Sequence, residues 1–389
     1  MKIGIVADDL TGAADSVAPF AARGLRCAVA NLSTPESLLA DFDVTAVSTE
    51  TRDMPFSCPD TVHSAIARAV LTLNGVGPPQ ILCKKIDSAL RGHVDVELKA
   101  ICAHAPERTP VICPAFPAQG RTVAGGVLFV RGEPRRRVIE VLDGGTHWHY
   151  VTLDLADIRR GTEWVCRWLG EKSGGLAPAV LFDAETERDL EIVAAAVLQN
   201  PSGWLPVGSA GFMRAIASQM RATVVEDPLY ARARESLRGE PLIVICGSRS
   251  NLCRRQIIAL ERASSTLRTS SAGEAIDLIG GGFRIAIAAS PEDEQDRDIV
   301  LEKLLGGIER LEELPSATLI VTGGATAAAM LRRCDGFTHL IVVGEIEPGI
   351  VATLAVFKSS GNKRATAVHL LLKAGDFGGE ATLARIAGL

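Results

Sequence analysis

The 389-residue sequence is poor in aromatic residues, which make up only 4% of the chain. The hydrophobic fraction is nevertheless 47%, and its members are chiefly Ala, Val, Leu and Ile. Small aliphatic side chains of this kind suit parallel strands covered by helices better than an antiparallel sandwich. Since a typical domain has about 100–200 residues, the length predicts two domains.

The sequence also lacks an excess of basic residues and any long apolar segment. Its net charge of −5 argues against a nucleic-acid-binding protein, because such proteins present a strongly basic face. No apolar run reaches the roughly 18 residues that a membrane-spanning helix needs. The apolar start of the chain is interrupted by Asp8 and Asp9, so no signal peptide is expected. We therefore expect a cytoplasmic protein with no membrane partner.

Paired cysteines and the common nucleotide-binding signatures are missing as well. Nine cysteines occur without a CxxC pair, and four of them lie in apolar, strand-like segments: Cys27, Cys83, Cys113 and Cys246. This pattern favours buried, reduced thiols over a disulfide framework or a zinc site, and we expect no metal ligated by the protein. The absence of a Walker P-loop and of a GxGxxG fingerprint disfavours the common ATPases and the Rossmann dehydrogenases.

Apolar, strand-like segments alternate with helical segments along most of the chain. This alternation predicts an α/β protein of two domains, each with a mainly parallel sheet flanked by helices. The pattern breaks at residues 222–240, which are charged and contain no long apolar run. We predict domains at residues 1–225 and 240–389, joined by a linker at about 226–239. Residues 120–150 mix Gly, Arg and short β-prone runs, which predicts a hairpin-like excursion.

Two adjacent carboxylates, Asp8 and Asp9, follow the first predicted strand. Their position is informative because ligands bind beyond the carboxyl ends of strands in open α/β sheets. Because Asp8 and Asp9 repel each other, their adjacency indicates a function, such as accepting a proton from a substrate hydroxyl. The alternative is that one of them caps the following helix. Asp9 and Thr11 also fit part of the DxDxT phosphatase signature, but Ala7 stands where the nucleophilic aspartate belongs. A phosphatase of that type is therefore disfavoured.

Positive charges follow two further strands. Arg52 comes after the predicted strand Val44–Ser48, where it could form a two-pronged pair with a substrate carboxylate or be an ordinary loop arginine. Lys84 and Lys85 end an apolar strand, where buried charges need partners, and this position suits a carboxylate or phosphate ligand. The same segment continues with further candidate residues: Ile86, Asp87, Ser88 and Arg91. The loop 113–122, with two prolines and an arginine, stays open between a structural and a functional role.

Three glycine-containing turns follow strands in the second half of the chain. They span Gly247–Ser250, Thr322–Thr326 and Lys373–Gly379. Glycine lets a backbone approach a phosphate closely, and a helix N-terminus supplies N–H donors and partial positive charge. One such turn is weak support, but three in one domain predict a site for the phosphates of a nucleotide.

The ordered set of motifs resembles the four-carbon acid sugar kinases. The motifs run through nearly the whole chain: DDLTGAAD from Asp8, KKIDSALRG from Lys84, CPAFPAQGRT from Cys113, GSAGF from Gly208, GSRS from Gly247, TGGATAAAML from Thr322, EIEPG from Glu345 and KAGDFGG from Lys373. The resemblance implies an acid-sugar-binding N-terminal domain, a C-terminal domain that binds ATP, and an active-site cleft between them.

The resemblance also implies an activity, namely ATP-dependent phosphorylation of a hydroxyl of threonate, erythronate or a 3-oxo-tetronate, with Mg²⁺ bridging the phosphates of ATP. Carried over by motif, Asp9, Arg52 and the Lys85–Ser88 segment would contact the acid sugar, and Lys84 and Arg91 are further candidates for this contact. Our hypothesis for the reaction is that Asp9 or Asp8 orients or deprotonates the attacking hydroxyl. The residues expected to contact ATP are Ser248, Ser250, Gly323, Gly324, Ala325, Thr326, Gly349 and Gly375. The expected partners are therefore small molecules, and a homo-oligomer is compatible with the sequence.

Two departures from the family pattern keep a second hypothesis open. Ala325 stands where the family usually has an acidic residue, and the stretch after Gly132 is shorter than usual. A non-catalytic protein that binds or senses an acid sugar, derived from such a kinase, would accommodate both departures.

Overall fold

The first strand, β1 (Ile3–Ala7), is buried along its whole length and pairs in parallel with a strand on each side. A continuous apolar run suits this position, because helices cover both faces of a parallel sheet. The computed structural model describes residues 1–143, 149–172, 179–220, 241–264, 266–289, 296–313, 317–358, 366–375 and 377–389. The chain divides into two compact units, Met1–Val224 and Val225–Leu389. The predicted linker at 226–239 lies outside the described residues.

The first unit contains a large parallel sheet and a small antiparallel one. Its further strands are β2 (Cys27–Asn31), β3 (Val44–Ser48), β4 (Ile81–Lys85), β5 (Thr109–Cys113), β6 (Arg121–Ala124), β7 (Val127–Val130), β8 (Glu133–Arg137), β9 (Tyr150–Leu153), β10 (Ala179–Phe182) and β11 (Trp204–Gly208). Strand β1 and seven of these strands form the parallel sheet, in the order β2-β3-β1-β4-β11-β5-β10-β9.

Helices connect these strands, as the alternation of the sequence predicts. They are α1 (Leu10–Ala21), α2 (Pro59–Val76), α3 (Val94–His104), α4 (Val138–Asp143), α5 (Leu155–Ile158), α6 (Thr162–Lys172), α7 (Glu187–Val197) and α8 (Ala210–Ser218), with short 3₁₀ helices at Glu36–Leu38 and Pro117–Gln119. No helix within the described ranges is long and apolar enough to cross a membrane.

The predicted excursion is the small antiparallel sheet, in the order β6-β7-β8. The neighbouring loop at 113–122 has backbone and capping contacts. Ser209 caps α8 and donates a hydrogen bond of 2.6 Å to the carbonyl of Ala115, while Arg121 donates to the carbonyl of Gln119. These contacts support the structural role for this loop.

The second unit has a sheet of seven strands in the order β13-β14-β12-β15-β18-β17-β16. Its strands are β12 (Leu242–Cys246), β13 (Leu267–Thr269), β14 (Ile285–Ala289), β15 (Thr318–Thr322), β16 (Phe337–Glu347), β17 (Ile350–Phe357) and β18 (Thr366–Lys373). Its helices are α9 (Asn251–Ala263), α10 (Ala272–Gly280), α11 (Arg297–Leu304), α12 (Gly324–Arg333) and α13 (Thr382–Ile386), with a 3₁₀ helix at Ile308–Glu313. Two units with mainly parallel sheets and flanking helices confirm the predicted α/β class.

An antiparallel hairpin in the second unit was not expected from the sequence. The motif Glu345–Gly349 forms the end of β16 and a turn into β17, which pairs with β16 on one side and β18 on the other. Gly349 has a φ of 79°, and a Cβ at that position would overlap the ring of Phe377. Glycine is therefore required at this turn for both its conformation and its packing.

The predicted buried thiols are confirmed, since Cys27, Cys83, Cys113 and Cys246 are all buried in strands. Burial raises the pKa of Cys83 to about 12. A thiol with such a pKa stays protonated at neutral pH and behaves as a small apolar side chain.

Candidate functional site

The strands that carry the first candidate residues end at the same level of the sheet. In the register of the parallel sheet, Ala7 of β1 lies opposite both Ser48 of β3 and Lys85 of β4. Lys85 is in turn level with Gly208 of β11. The segments after these strands therefore emerge side by side, as expected at the carboxyl edge of an α/β sheet.

Arg52 is held by the carboxylates that follow β1. Its Nε and Nη2 each donate a hydrogen bond of 2.7 Å to the two oxygens of Asp8. Its Nη2 also lies 2.6 Å from Asp9 Oδ1, and its Nη1 lies 3.9 Å from Asp87 Oδ1. Burial alone would raise the pKa of Asp8, but the charges of Arg52 and Lys85 outweigh it and hold that pKa below its ordinary value.

Asp9 has a more open position than Asp8. Its side chain is 13% exposed, whereas that of Asp8 is 2% exposed. Asp9 Oδ1 accepts a hydrogen bond from the backbone N–H of Gly12, and Oδ2 accepts one from the hydroxyl of Thr11. Asp9 is thus the N-cap of α1, so the capping alternative applies to this residue without excluding a chemical role.

Lys84 and Lys85 point to opposite faces of the sheet, because successive side chains alternate along a strand. Lys84 is fully buried, with its Nζ 2.8 Å from Glu97 Oε2 on α3. Lys85 points towards α1, since a Cβ built on Gly12 would lie 2.7 Å from its Nζ. Lys85 is 4% exposed, and its Nζ forms no hydrogen bond or ion pair with another described residue.

The segment after β4 is ordered around Asp87. The carboxylate of Asp87 accepts hydrogen bonds of 2.9 and 2.8 Å from the guanidinium of Arg91 and also accepts from two backbone N–H groups. Burial would raise the pKa of Asp87, but Arg91 and Arg52 hold it well below its ordinary value. Ser88 is half-buried, and Ile86 is buried and donates its N–H to the carbonyl of Gly208.

Two non-glycine residues beside this group have left-handed backbone conformations. Glu50, two residues before Arg52, has a φ of 53°, and Leu90, immediately before Arg91, has a φ of 58°. Such conformations cost about 1–3 kcal/mol each and persist where the surrounding structure fixes them. They indicate that the positions of the two arginines are fixed by the fold.

The tight contact of Gly12 with Asp9 and Lys85 allows a direct test of whether these side chains bind a substrate. A Cβ at position 12 would overlap Asp9 Oδ1 and press on Lys85 Nζ. Gly12→Ala is therefore expected to displace both side chains and to raise the KM for the substrate of this site, while α1 still forms because alanine favours helices. Steady-state kinetics with circular dichroism would check this, and an unchanged KM would show that the two side chains do not need this close packing.

The three glycine turns of the second unit also emerge from strands that end at one level. Thr322 of β15 lies opposite Cys246 of β12 on one side and Lys373 of β18 on the other. The turns that begin at Gly247, Gly323 and Ala374 therefore lie next to one another. The structure thus brings together the predicted phosphate-binding turns.

Two serines and a glycine join the first and third turns. Ser250 caps α9 through the N–H of Cys253, and its hydroxyl donates a hydrogen bond of 2.8 Å to the carbonyl of Gly375. The Ser248 hydroxyl is so close to Gly375 that a Cβ there would overlap it. Residue 376 lies outside the described residues.

The middle turn has the same close packing. Gly323 has a φ of 95° and caps α12, and the Thr326 side chain lies against Gly247, where a Cβ would overlap its hydroxyl. Gly324 and Ala325 begin α12 and are half-buried. Gly349, by contrast, packs against Phe377 and lies in the hairpin turn described above.

Lys373, at the end of β18, was missed by the sequence argument as a separate functional candidate. It is fully buried, and its Nζ donates hydrogen bonds of 3.1 and 3.3 Å to the carbonyls of Ala374 and Gly375. It therefore stabilises the third glycine turn. The sequence does contain a signal for this residue, namely a lysine at the end of an apolar strand, and the same signal marks Lys85 in the first unit.

Comparison with known proteins matches each unit to a family of domains. Residues 3–216 match the family described as "Sugar-binding N-terminal domain", and residues 243–383 match the "Nucleotide-binding C-terminal domain". A D-threonate kinase of Cupriavidus necator is 30% identical, over 97% of this chain and 95% of the relative. The chain belongs to the four-carbon acid sugar kinase family. The predictions of the family and of its enzyme class, a sugar-acid kinase, are confirmed.

Other relatives in this family are named for different substrates. A 3-oxo-tetronate kinase of Methylobacterium radiotolerans is 28% identical over 97% of both chains. A D-erythronate kinase of Heliobacterium modesticaldum is 28% identical over 68% of this chain and 62% of the relative. The sequence identities to these relatives are nearly equal, so they favour no single substrate.

Solved structures agree with the fold. A protein from Salmonella typhimurium LT2 superposes with a TM-score of 0.78 at 21% identity, covering 99% of this chain and 98% of its own. A Haemophilus influenzae protein, HI1011, superposes with a TM-score of 0.71 at 19% identity, covering 99% of both chains. Both likenesses establish the architecture alone.

Proposed function

We propose that this protein uses ATP to phosphorylate a hydroxyl of a four-carbon acid sugar of the threonate, erythronate or 3-oxo-tetronate type. The family membership supports the reaction class. The observation that carries the proposal is the pairing of charges in the first unit. Lys84 pairs with Glu97, Arg91 with Asp87, and Arg52 mainly with Asp8. Among the described residues at and just after the ends of β1, β3 and β4, Lys85 is the cation without a hydrogen bond or ion pair, and Asp9 is more exposed than Asp8.

Lys85 is the proposed anchor for the carboxylate of the substrate. An ammonium group that is nearly buried and makes no hydrogen bond or ion pair of its own gains most from a negatively charged ligand. The Nε and Nη2 of Arg52 are already occupied by Asp8 and Asp9. We assign Arg52 chiefly to holding the two aspartates, with Nη1 left to contact the acid.

Asp9 is the proposed general base. Asp8 is poorly suited to that role, because Arg52 binds both of its oxygens and its lowered pKa makes it a weak base. In the proposed step, the substrate hydroxyl oxygen attacks the γ-phosphorus of ATP, Asp9 accepts the hydroxyl proton, and the bond to ADP breaks. Phosphoryl transfer of this kind depends mainly on positioning and on charge neutralisation.

The three glycine turns of the second unit are the proposed site for the ATP phosphates. Close packing at Gly247 and Gly375 and the left-handed backbone of Gly323 favour glycine at these positions, so the three backbones carry no side chains there. Helices α9 and α12 begin within these turns. Helix N-termini present N–H donors to phosphate oxygens. Mg²⁺ would arrive with the nucleotide and bridge its phosphates.

Gly375→Ala tests the nucleotide assignment. The new Cβ would overlap the Ser248 hydroxyl and move the first turn, so we expect a higher KM for ATP and an unchanged KM for the acid sugar. Gly280→Ala is a matched control, because a Cβ at that helical glycine meets no atom within 4 Å. A rise in the acid-sugar KM alone would place the nucleotide elsewhere.

The experiment that tests the proposed function is an ADP-release assay with Mg-ATP and a panel of threonates, erythronates and 3-oxo-tetronates. We expect turnover on at least one member, which would also name the substrate. Pure, folded protein that gains thermal stability from an acid but not from ATP, and turns over nothing, would contradict the proposal and favour a non-catalytic acid-sugar-binding protein.

A further inference from the structure

A buried carboxylate that the proposed reaction does not use lies behind the acid-sugar site. Glu97 is in the first turn of α3 and is 1% exposed. One oxygen lies 2.8 Å from Lys84 Nζ, and the other accepts a hydrogen bond from the Thr51 hydroxyl. Glu97 thus contacts the strand that carries Lys85 and the residue immediately before Arg52.

The contacts of Glu97 extend to a third strand end. The Thr51 oxygen accepts a hydrogen bond of 2.8 Å from the Thr49 hydroxyl, and the backbone N–H of Thr49 donates one of 2.9 Å to the carbonyl of Ala7, the residue before Asp8. All of these groups are buried. The network therefore joins the ends of β1, β3 and β4, from which the three charged groups of the site arise.

The same helix holds the other end of the Arg52 segment. His93 Nε2, just before α3, lies 2.8 Å from the carbonyl oxygen of Met54. The backbone of Gly92 lies against that of Arg52, because a Cβ at Gly92 would lie 3.2 Å from the Arg52 Cα. The Arg52 segment is thus fixed by α3 on both sides of the arginine.

Such a network is not explained by stability alone. Buried ion pairs can often be replaced by apolar side chains without loss of stability, whereas satisfied polar networks fix one arrangement of the groups they join. Here the groups that the network joins are the backbone positions of Asp8, Arg52 and Lys85.

We propose that Glu97 is a positioning residue for the acid-sugar site, which acts through Thr51 on Arg52 and through Lys84 on β4. This inference rests on the proposed function, because it assigns Arg52 to the site that binds the acid. Glu97 itself touches no substrate. Its effect is to hold the guanidinium where it meets both aspartates.

Thr51→Val is the sharpest test, because it removes the hydroxyl that reaches Glu97 and leaves the Glu97–Lys84 pair in place. We expect kcat/KM for the acid sugar to fall by about 10–100-fold, the loss seen when residues that orient the ligands of a metal ion are changed. The KM for ATP should not change. Thr51→Ser, which keeps the hydroxyl, should restore the wild-type value.

Thr45→Val provides the matched control, since Thr45 is a buried threonine of β3 that lies outside this network. If Thr51→Val and Thr45→Val showed equal kinetics and equal loss of stability, the inference would be overturned.

Glu97→Gln is the second variant, and we expect the same selective loss of kcat/KM for the acid, with lowered stability because Lys84 loses its counter-charge. Wild-type protein that turns over no acid sugar would instead contradict the proposed function itself, and the inference with it.

Discussion

Asp9→Asn is expected to lower kcat by about 10²–10⁴-fold, the range associated with loss of a positioned general base. The amide has the shape of the carboxylate but cannot accept the proton of the attacking hydroxyl. The fold should be retained, because asparagine is as good an N-cap as aspartate and its carbonyl oxygen can still accept from Gly12. Turnover measured by ADP release, together with thermal unfolding, checks both parts of this expectation.

Asp60→Asn is the matched control for this experiment. Asp60 is an exposed aspartate in the first turn of α2, so the change removes a helix-terminal charge outside the site. We expect Asp60→Asn to keep wild-type turnover. Wild-type turnover in Asp9→Asn as well would remove Asp9 from the mechanism and leave its capping role as the explanation for its position.

The same substitution at the neighbouring residues Lys84 and Lys85 is expected to lower two different quantities, stability at Lys84 and kcat/KM at Lys85. Lys84→Met leaves the buried carboxylate of Glu97 unpaired, and breaking a buried pair in this way destabilises a protein by about 3–5 kcal/mol. Lys85→Met removes the proposed anchor for the acid. A hydrogen bond to a charged group contributes about 1.5–3 kcal/mol, so kcat/KM for the acid sugar should fall by about 10–100-fold.

Urea unfolding and steady-state kinetics on both variants separate these two roles. The expected pattern is a large loss of unfolding free energy in Lys84→Met, and a large loss of kcat/KM with a smaller change in stability in Lys85→Met. Equal stability losses with unchanged acid affinity in Lys85→Met would show that both lysines are structural. The proposed site would then lose its anchor.

The strand ends could be predicted from the sequence, because each apolar run is followed at once by polar or glycine residues. The predicted strand Val44–Ser48 matches the structure in both bounds. The fold class followed from the same alternation. These features are local, so a single sequence contains the information for them.

The partners of the charged residues could not be predicted in the same way. Alternation along β4 shows that Lys84 and Lys85 face opposite sides, but which side carries the site depends on strand order and on the packing of α1 and α3. The position of Arg52 after a strand suggested a residue that binds the carboxylate of a substrate, yet its nearest carboxylates are those of Asp8 and Asp9. Glu97 was missed, although a lysine in a buried strand signals that a buried carboxylate lies nearby.

The hairpin of β16 and β17 shows the same limit. The alternation of strands and helices did not predict this antiparallel pair, in which β16 runs over Phe337–Glu347 and β17 over Ile350–Phe357. Antiparallel pairing of these strands depends on contacts of β17 with β18, which is distant along the chain from the start of β16. The predicted cleft between the domains stays a prediction.

The most direct test of the central claim follows the phosphoryl group itself. Wild-type protein and Asp9→Asn are incubated with Mg-ATP labelled at the γ-phosphate and with the acid sugar that gave turnover in the panel. We expect the label to appear in a phosphorylated acid with the wild type, and at a strongly reduced rate with Asp9→Asn. Label found only as inorganic phosphate, or transferred equally by both proteins, would contradict the account of a sugar-acid kinase that uses Asp9 as its base.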